Sequence, residues 1–239
     1  MQQKIFSFKS LLTATAFIMA VGLFSACKKS SDENNNTTNN AGLLPFNLAP
    51  GTSISIGVAG NAIITGALNF PNYTGEYIPV APGTKIVDSY KFGQKDSVYA
   101  STAFEFTANR FYSLFLIGFN GHYKNLVIAD RVDSSIIGTS KSYVRYVNAI
   151  ADSADQHFVV TRGPSTVSDT TLKYTGVGAV RPIDPGELTF SVYDGATVKA
   201  SKIVSMEANK LYTVILYGIP SATDETNKVK VAHIINGSL

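Results

Sequence analysis

Residues that could do chemistry are few in this chain, and they are badly spaced for it. The three histidines, His122, His157 and His233, stand far apart. No H-x-x-x-H exists, and one cysteine, Cys27, cannot make C-x-x-C. Metal centres built on short ligand spacings are therefore not written here. A nucleophile elbow needs G-x-S-x-G, and "GTSIS" at 51–55 fails at its last position. "GVGAVR" at 176–181 begins like a dinucleotide loop but lacks the third glycine and the helix after it, so it reads as a turn or strand. The acids are scattered, with no pair assignable to one cleft. A Ser/His/Asp set could still assemble in space from distant positions. The expectation is a protein that is not an enzyme, with no catalytic, metal or cofactor-binding residue and no cofactor. A hydrolase with a spatially assembled site is one alternative.

Chemistry done to the chain is better signalled. Residues 1–10 carry Lys4 and Lys9, and "LLTATAFIMAVGLF" (11–24) follows without a charge. That run is short for a membrane-spanning helix, which needs about twenty apolar residues, and it has the layout of a secretory signal. "SAC" (25–27) comes next and looks like a lipobox, in which cleavage precedes the cysteine and the thiol is acylated. Cys27 is thus the expected lipidation site. Anchoring takes more than one acyl chain, and an acylated N-terminal cysteine carries two or three. The Asn-rich "KKSSDENNNTTNN" (28–40) has no large apolar residue and reads as a flexible tether. Three Asp-Ser/Thr-apolar steps, at Ser97, Ser153 and Thr170, resemble acceptors of bacterial O-glycosylation. Such steps are also common in turns, where the side chain bonds the backbone.

The bulk of the chain repeats itself. "ANRFYSLFLIGF" at 108–119 returns as "ANKLYTVILYGI" at 208–219. "YTG" (73–75) matches "YTG" (174–176), "PVAPG" (79–83) matches "PIDPG" (182–186), and "NLVIA" (125–129) matches "KVKVA" (228–232), all in the same order. Two copies of one domain of similar length explain four ordered blocks. Alternation in "SISIGV" (53–58), "LTFSVY" (188–193) and "KVKVAHI" (228–234) reads as strands packed on one face. "YSLFLIG" and "YTVILYG" are continuously apolar, as strands buried on both faces are. Pro82-Gly83 and Pro185-Gly186 read as turns, with glycine supplying positive φ, and Asn109 and Asn209 suit the left-handed region. Tyr112 and Tyr212 open the long strand, where a buried ring can lend its hydroxyl to nearby backbone. The fold expected is all-β: two tandem antiparallel β-sandwiches, immunoglobulin-like or transthyretin-like, of about seven strands each. The segments are a signal peptide (1–26), a disordered tether (27–42), a first sandwich (43–135) and a second (141–239).

"YVRYVNAIADSAD" (143–155), "DPGELTFSVYDG" (184–195) and "MEANKLYTVILYG" (206–218) together resemble the DUF4397 family, a domain of unknown function. Its members open with an R-x-x-N-A strand; "LPFNLAPGTS" (44–53) of the first copy lacks the Arg. The resemblance implies a secreted or lipid-anchored β-sandwich and no reaction. Asp32 and Glu33 after Cys27 resemble the acidic export signal of surface lipoproteins in Bacteroidetes. Without residues 1–26 the chain holds 18 basic and 17 acidic residues, which gives no footprint for nucleic acid. The expected partners are the membrane, through the lipid, and a protein or glycan. The expected location is the cell envelope, lipid-anchored to the outer membrane. The export-signal resemblance implies the external face; a solvated linker with incidental charges is the alternative that leaves periplasmic and external faces both open. The leading functional class is a displayed binding or structural module. A glycan-binding accessory protein of a polysaccharide-uptake system is the other alternative; it would grip sugar with exposed tyrosines such as Tyr73, Tyr77 or Tyr123, since the chain has no Trp.

Overall fold

The computed structural model describes residues 39–131, 140–151 and 155–238, all without helix. The first copy contains β1 (Ala41–Asn47), β2 (Ser53–Val58), four short pieces β3 (Asn61–Ala62), β4 (Leu68–Asn69), β5 (Asn72–Tyr73) and β6 (Ile78–Val80), and then β7 (Gly83–Lys91), β8 (Val98–Phe106), β9 (Phe111–Phe119) and β10 (His122–Ala129). The second contains β11 (Ser142–Ile150), β12 (Gln156–Arg162), β13 (Ser165–Leu172), β14 (Arg181–Ile183), β15 (Gly186–Asp194), β16 (Thr197–Met206), β17 (Lys210–Gly218) and β18 (Lys230–Ser238). β1 begins at Ala41, two residues inside the stretch read as tether. Among the described residues the first copy has ten strands against the expected seven because the connection after β2 is broken into short paired pieces, and the second has eight, the extra one being the short β14.

Each copy is a two-sheet sandwich. In the first, β10-β9-β1-β5, with β6 also on β1, faces β3-β2-β7-β8, with β4 on β2. In the second, β14-β11-β17-β18 faces β13-β12-β15-β16. The two tandem all-β sandwiches are as the repeat implies. Among the described residues the strands pair antiparallel except that β1 runs parallel to β9, and β11 parallel to β17. A parallel pair needs a long crossover, and here the whole opposite sheet serves as the crossover.

The interior cores follow from alternation. Ile54, Ile56 and Val58 meet Leu43, Leu114 and Leu116 in the first sandwich. Phe158, Phe190 and Val192 meet Val144, Val214 and Leu216 in the second. The other faces of β1, β9, β11 and β17 are apolar too: Leu44, Phe46, Phe115 and Ile117 join Val147, Ala149, Ile215 and Ile234 in a third cluster. Two sheets therefore lie back to back, and each is covered on both faces. This is why β9 and β17 read as continuous apolar runs, and why β1 and β11 are buried at every position.

The repeated punctuation has its physical cause. Gly83 and Gly186 have φ of 97° and 116°, and Asn109 and Asn209 have 58° and 59°. Gly118 and Gly218 end the long strands at φ of 124° and 114°, and a Cβ there would run into the carbonyl of His122 or Lys228. One block shifts. Leu126 pairs with Phe115 and Ala232 with Ile215, so "LVIAD" corresponds to "AHIIN", three residues beyond the sequence match. A three-residue shift is odd and exchanges the two faces of a strand, so strand pairing rather than the apolar lettering of "NLVIA" and "KVKVA" fixes which residues correspond.

Tyr112 and Tyr212 are buried rings whose hydroxyls accept hydrogen bonds from the backbone N–H of Thr107 (3.1 Å) and Glu207 (2.9 Å). We expect Tyr212→Ala to cost about 3–5 kcal/mol and Tyr212→Phe about 1 kcal/mol in urea denaturation. An alanine variant whose unfolding curve overlays the parent's would contradict this packing role.

Candidate functional site

Polar side chains concentrate where the two central sheets meet. Arg145 on β11 is 2% exposed and Asp130, just after β10, 1%. The guanidinium ion-pairs with Asp130 through Nη2, donates from Nη1 to the Ala129 carbonyl at 2.8 Å, and donates from Nε to Thr213 Oγ1 at 2.8 Å. The other Asp130 oxygen accepts from Tyr77 Oη at 2.8 Å and Ser113 Oγ at 2.7 Å. Thr213 donates to Asn236 Oδ1 at 2.5 Å, and Asn236 Nδ2 donates to Tyr77 at 3.3 Å. Burial, and then the Asp130 carboxylate, push the Tyr77 phenol far above its ordinary range. A charge pair this deep needs its remaining lone pairs and protons satisfied, and the ring of hydroxyls does that.

The two copies contribute unequally. Leu44 stands opposite Ser113, and Arg145 stands opposite Thr213. The Arg missing from the first copy's R-x-x-N-A is thus replaced by Leu44 on the same seam. The Asn of that motif survives in both. Asn47 Nδ2 donates to the carbonyls of Thr52 (3.1 Å) and Leu68 (2.9 Å), and Asn148 Nδ2 donates to that of Leu172 (3.0 Å). Each pins the segment that crosses over its strand.

Two recesses lie on the second sandwich. A cleft of about 300 Å³ opens between β13, the 173–180 connection and β11, lined by Tyr146, Ser168, Thr170, Lys173, Val177 and Arg181 among others. Tyr146 is 8% exposed, and its ring packs edge-on against Phe158 at 4.9 Å. Burial pushes its phenol up to about 12, against a smaller opposing pull from Arg181. A groove of about 400 Å³ runs between β16 and β18, lined by Lys199, Lys202, Lys228 and Lys230. Lys199 pairs with Asp194 and Lys228 with Glu225, both exposed. Lysines on edge strands also guard against edge-to-edge pairing.

The residues singled out in the sequence fall in different places. Cys27 and Ser153 lie outside the described residues. Ser97 is exposed in the turn before β8, and Thr170 lies in β13, half-buried in the cleft wall rather than in a turn. Of the tyrosines, Tyr73 is 41% exposed and stacks on Phe46 (5.0 Å), while Tyr123 meets Tyr99 edge-on (4.8 Å). Tyr77 is spent in the seam. His157 bonds Asp169 at 2.8 Å on an exposed face. No group of three metal-ligating side chains occurs among the described residues. Arg145 was visible in the sequence only as a motif letter, and Asp130 had no signal, because their pairing depends on the register of β10.

No model of a known family matches the chain, and no curated protein matches it in sequence. Among solved structures it is similar to one described as "a putative cell adhesion protein" from Bacteroides uniformis, at 9% identity over 83% of this chain and 98% of that one, with a TM-score of 0.24.

Breaking the pair from one side should cost more than removing it. Arg145→Leu leaves a buried carboxylate unpaired and is expected to cost about 3–5 kcal/mol, whereas Arg145→Leu with Asp130→Ala should recover much of that. Urea midpoints of the two singles and the double decide this; a double that falls by the sum of the singles refutes the coupling.

His233 gives a pH prediction. Its Nδ1 is buried without a partner among the described residues, and the ring lies near Tyr212. Burial, then Lys202, hold its pKa below the usual 6.5. The unfolded chain takes up that proton first, so stability falls as pH drops through 6.5 towards the folded value. Val127 occupies the corresponding position in the first copy. His233→Val is expected to flatten the stability profile as pH falls below 6.5, read as melting temperature against pH.

Proposed function

We propose that the protein is a non-enzymatic module displayed on the cell envelope by a lipid at Cys27, and that it binds its partner through the second sandwich. The first sandwich and the seam form the rigid base that holds that surface at the end of the tether. The reading is carried by the inequality of the two copies around one strand position. Tyr146 and Arg181 flank the cleft in the second copy; Pro45 and Ile78 occupy the matching registers in the first. A repeat kept for support alone has no need of polar groups held at a cleft in one copy. The sequence features after residue 27 favour a surface lipoprotein of the Bacteroidetes kind, and the blocks in the second copy favour kinship with DUF4397.

Two outcomes test this. Cys27→Ala is expected to move the protein from the membrane to the soluble fraction; a variant that stays membrane-bound through washing removes the anchor. A side chain added at Gly178 meets Tyr146 only in ordinary contact. Gly178→Trp should therefore fold normally, cover the cleft and abolish capture of envelope material by the anchor-free chain. Unchanged capture would place binding elsewhere.

A further inference from the structure

We infer that the cleft at Tyr146 takes a carboxylated pyranose, one uronic-acid unit of an acidic glycan; this rests on the second sandwich being the binding surface. The donor set selects the charge. Arg181 and Lys173 both line the cleft, and no carboxylate does. Arg presents a planar fork that matches a carboxylate with two parallel bonds.

The remaining lining selects a sugar over a simple anion. Ser168 and Thr170 bring hydroxyls, which both donate and accept as sugar hydroxyls require. The Tyr146 phenol has no hydrogen-bond partner among the described residues, although more than nine-tenths of the residue is buried. Its oxygen is not a sealed, orphaned atom of the interior, and the residue lines the cleft, so the hydroxyl has bonding capacity to spare there. Leu172 and Val177 supply an apolar wall on which the C–H face of a ring can lie. A phosphate or sulfate ion would leave that wall bare. The opening of about 300 Å³ is in the range of small-ligand sites and suits a single ring with its neighbours trailing into solvent.

The site is held rather than improvised. Asn148 fixes the Leu172 carbonyl at the end of β13, and its own carbonyl and N–H bond Thr175 and Gly176 of the connection at 3.0 and 3.1 Å. Gly178 N donates to the Tyr146 carbonyl at 2.9 Å. The connection is thereby tied to the strand that carries Tyr146. The lysine groove on the opposite edge is the rival for any anion, and it lacks both aromatic and hydroxyl-rich lining.

The test is titration of the mature Cys27→Ala chain with trigalacturonate and triglucuronate, against a neutral galactose trimer and inorganic phosphate, by calorimetry. At least one uronate should bind, while the neutral trimer and phosphate bind at least tenfold more weakly. Arg181→Ala should weaken uronate binding about 10- to 100-fold, and Tyr146→Phe by a smaller factor with the melting temperature near the parent's. Lys202→Ala, in the other groove, should leave it unchanged. The inference is overturned if neither uronate binds, if the neutral trimer or phosphate binds as well, or if Lys202→Ala weakens binding as much as Arg181→Ala. Envelope capture that Gly178→Trp abolishes, alongside failure of both uronates, would sink the ligand class and leave the binding surface standing.

Discussion

Everything in this molecule is organised by two sheets that have no solvent face. Once β1, β9, β11 and β17 are covered on both sides, each residue on them must be apolar or fully bonded. The apolar majority supplies the stabilisation, and the polar minority sets the register. Asn47 and Asn148 are bonded to the segments that cross them, and Ser113, Thr213, Asn236 and Asp130 are bonded to one another. An Arg at such a depth is tolerable only because a carboxylate and two further oxygens lie within reach of its five N–H groups.

That constraint also explains why the two halves differ where they do. A seam between similar sheets could close symmetrically with leucine on both sides, as Leu44 offers. One Arg and one Asp, contributed by different copies, make the closure directional instead. A slip of either sheet would strand a buried charge, so the pair is a register device more than a source of net stability. Outside the seam the copies are free to diverge. The first fills the flank of β1 with Pro45 and Ile78, and the second opens a cleft there.

Much of this was legible from residues alone. The duplicate strand, the glycine and asparagine turns and the tyrosine at the strand start are local signals, and backbone sterics or nearby hydrogen bonds make them the same in any context. The doubly buried strands were legible as well, because "YSLFLIG" has no polar face to hide. β1 was less so: "AGLLPFN" contains a proline and an asparagine, and reads as a loop until its partners are known. The match of β10 with β18 slipped by three residues because both stretches are short and apolar, and only strand pairing shows their register. The seam could not be read at all, since Arg145 and Asp130 meet only when four strands are in place.

The cleft sits at the same limit. Tyr146, Thr170 and Arg181 lie on three separate strands, and no spacing in the chain announces their meeting. What the sequence did contain was the comparison between copies. Wherever a duplicated domain keeps a position for folding, both copies are held to the same physical demand, as at Asn47 and Asn148 or Tyr112 and Tyr212. Where one copy keeps an apolar filler and the other carries a phenol and a guanidinium, that shared demand has lapsed. Under the proposed function, the second residue type answers to a partner rather than to the fold. On this argument the informative residues of a tandem repeat are the polar ones that its twin lacks, sorted by whether the structure spends them internally. Arg145 is spent in the seam; the Tyr146 ring packs in the core, but its hydroxyl and the Arg181 guanidinium make no hydrogen bond among the described residues.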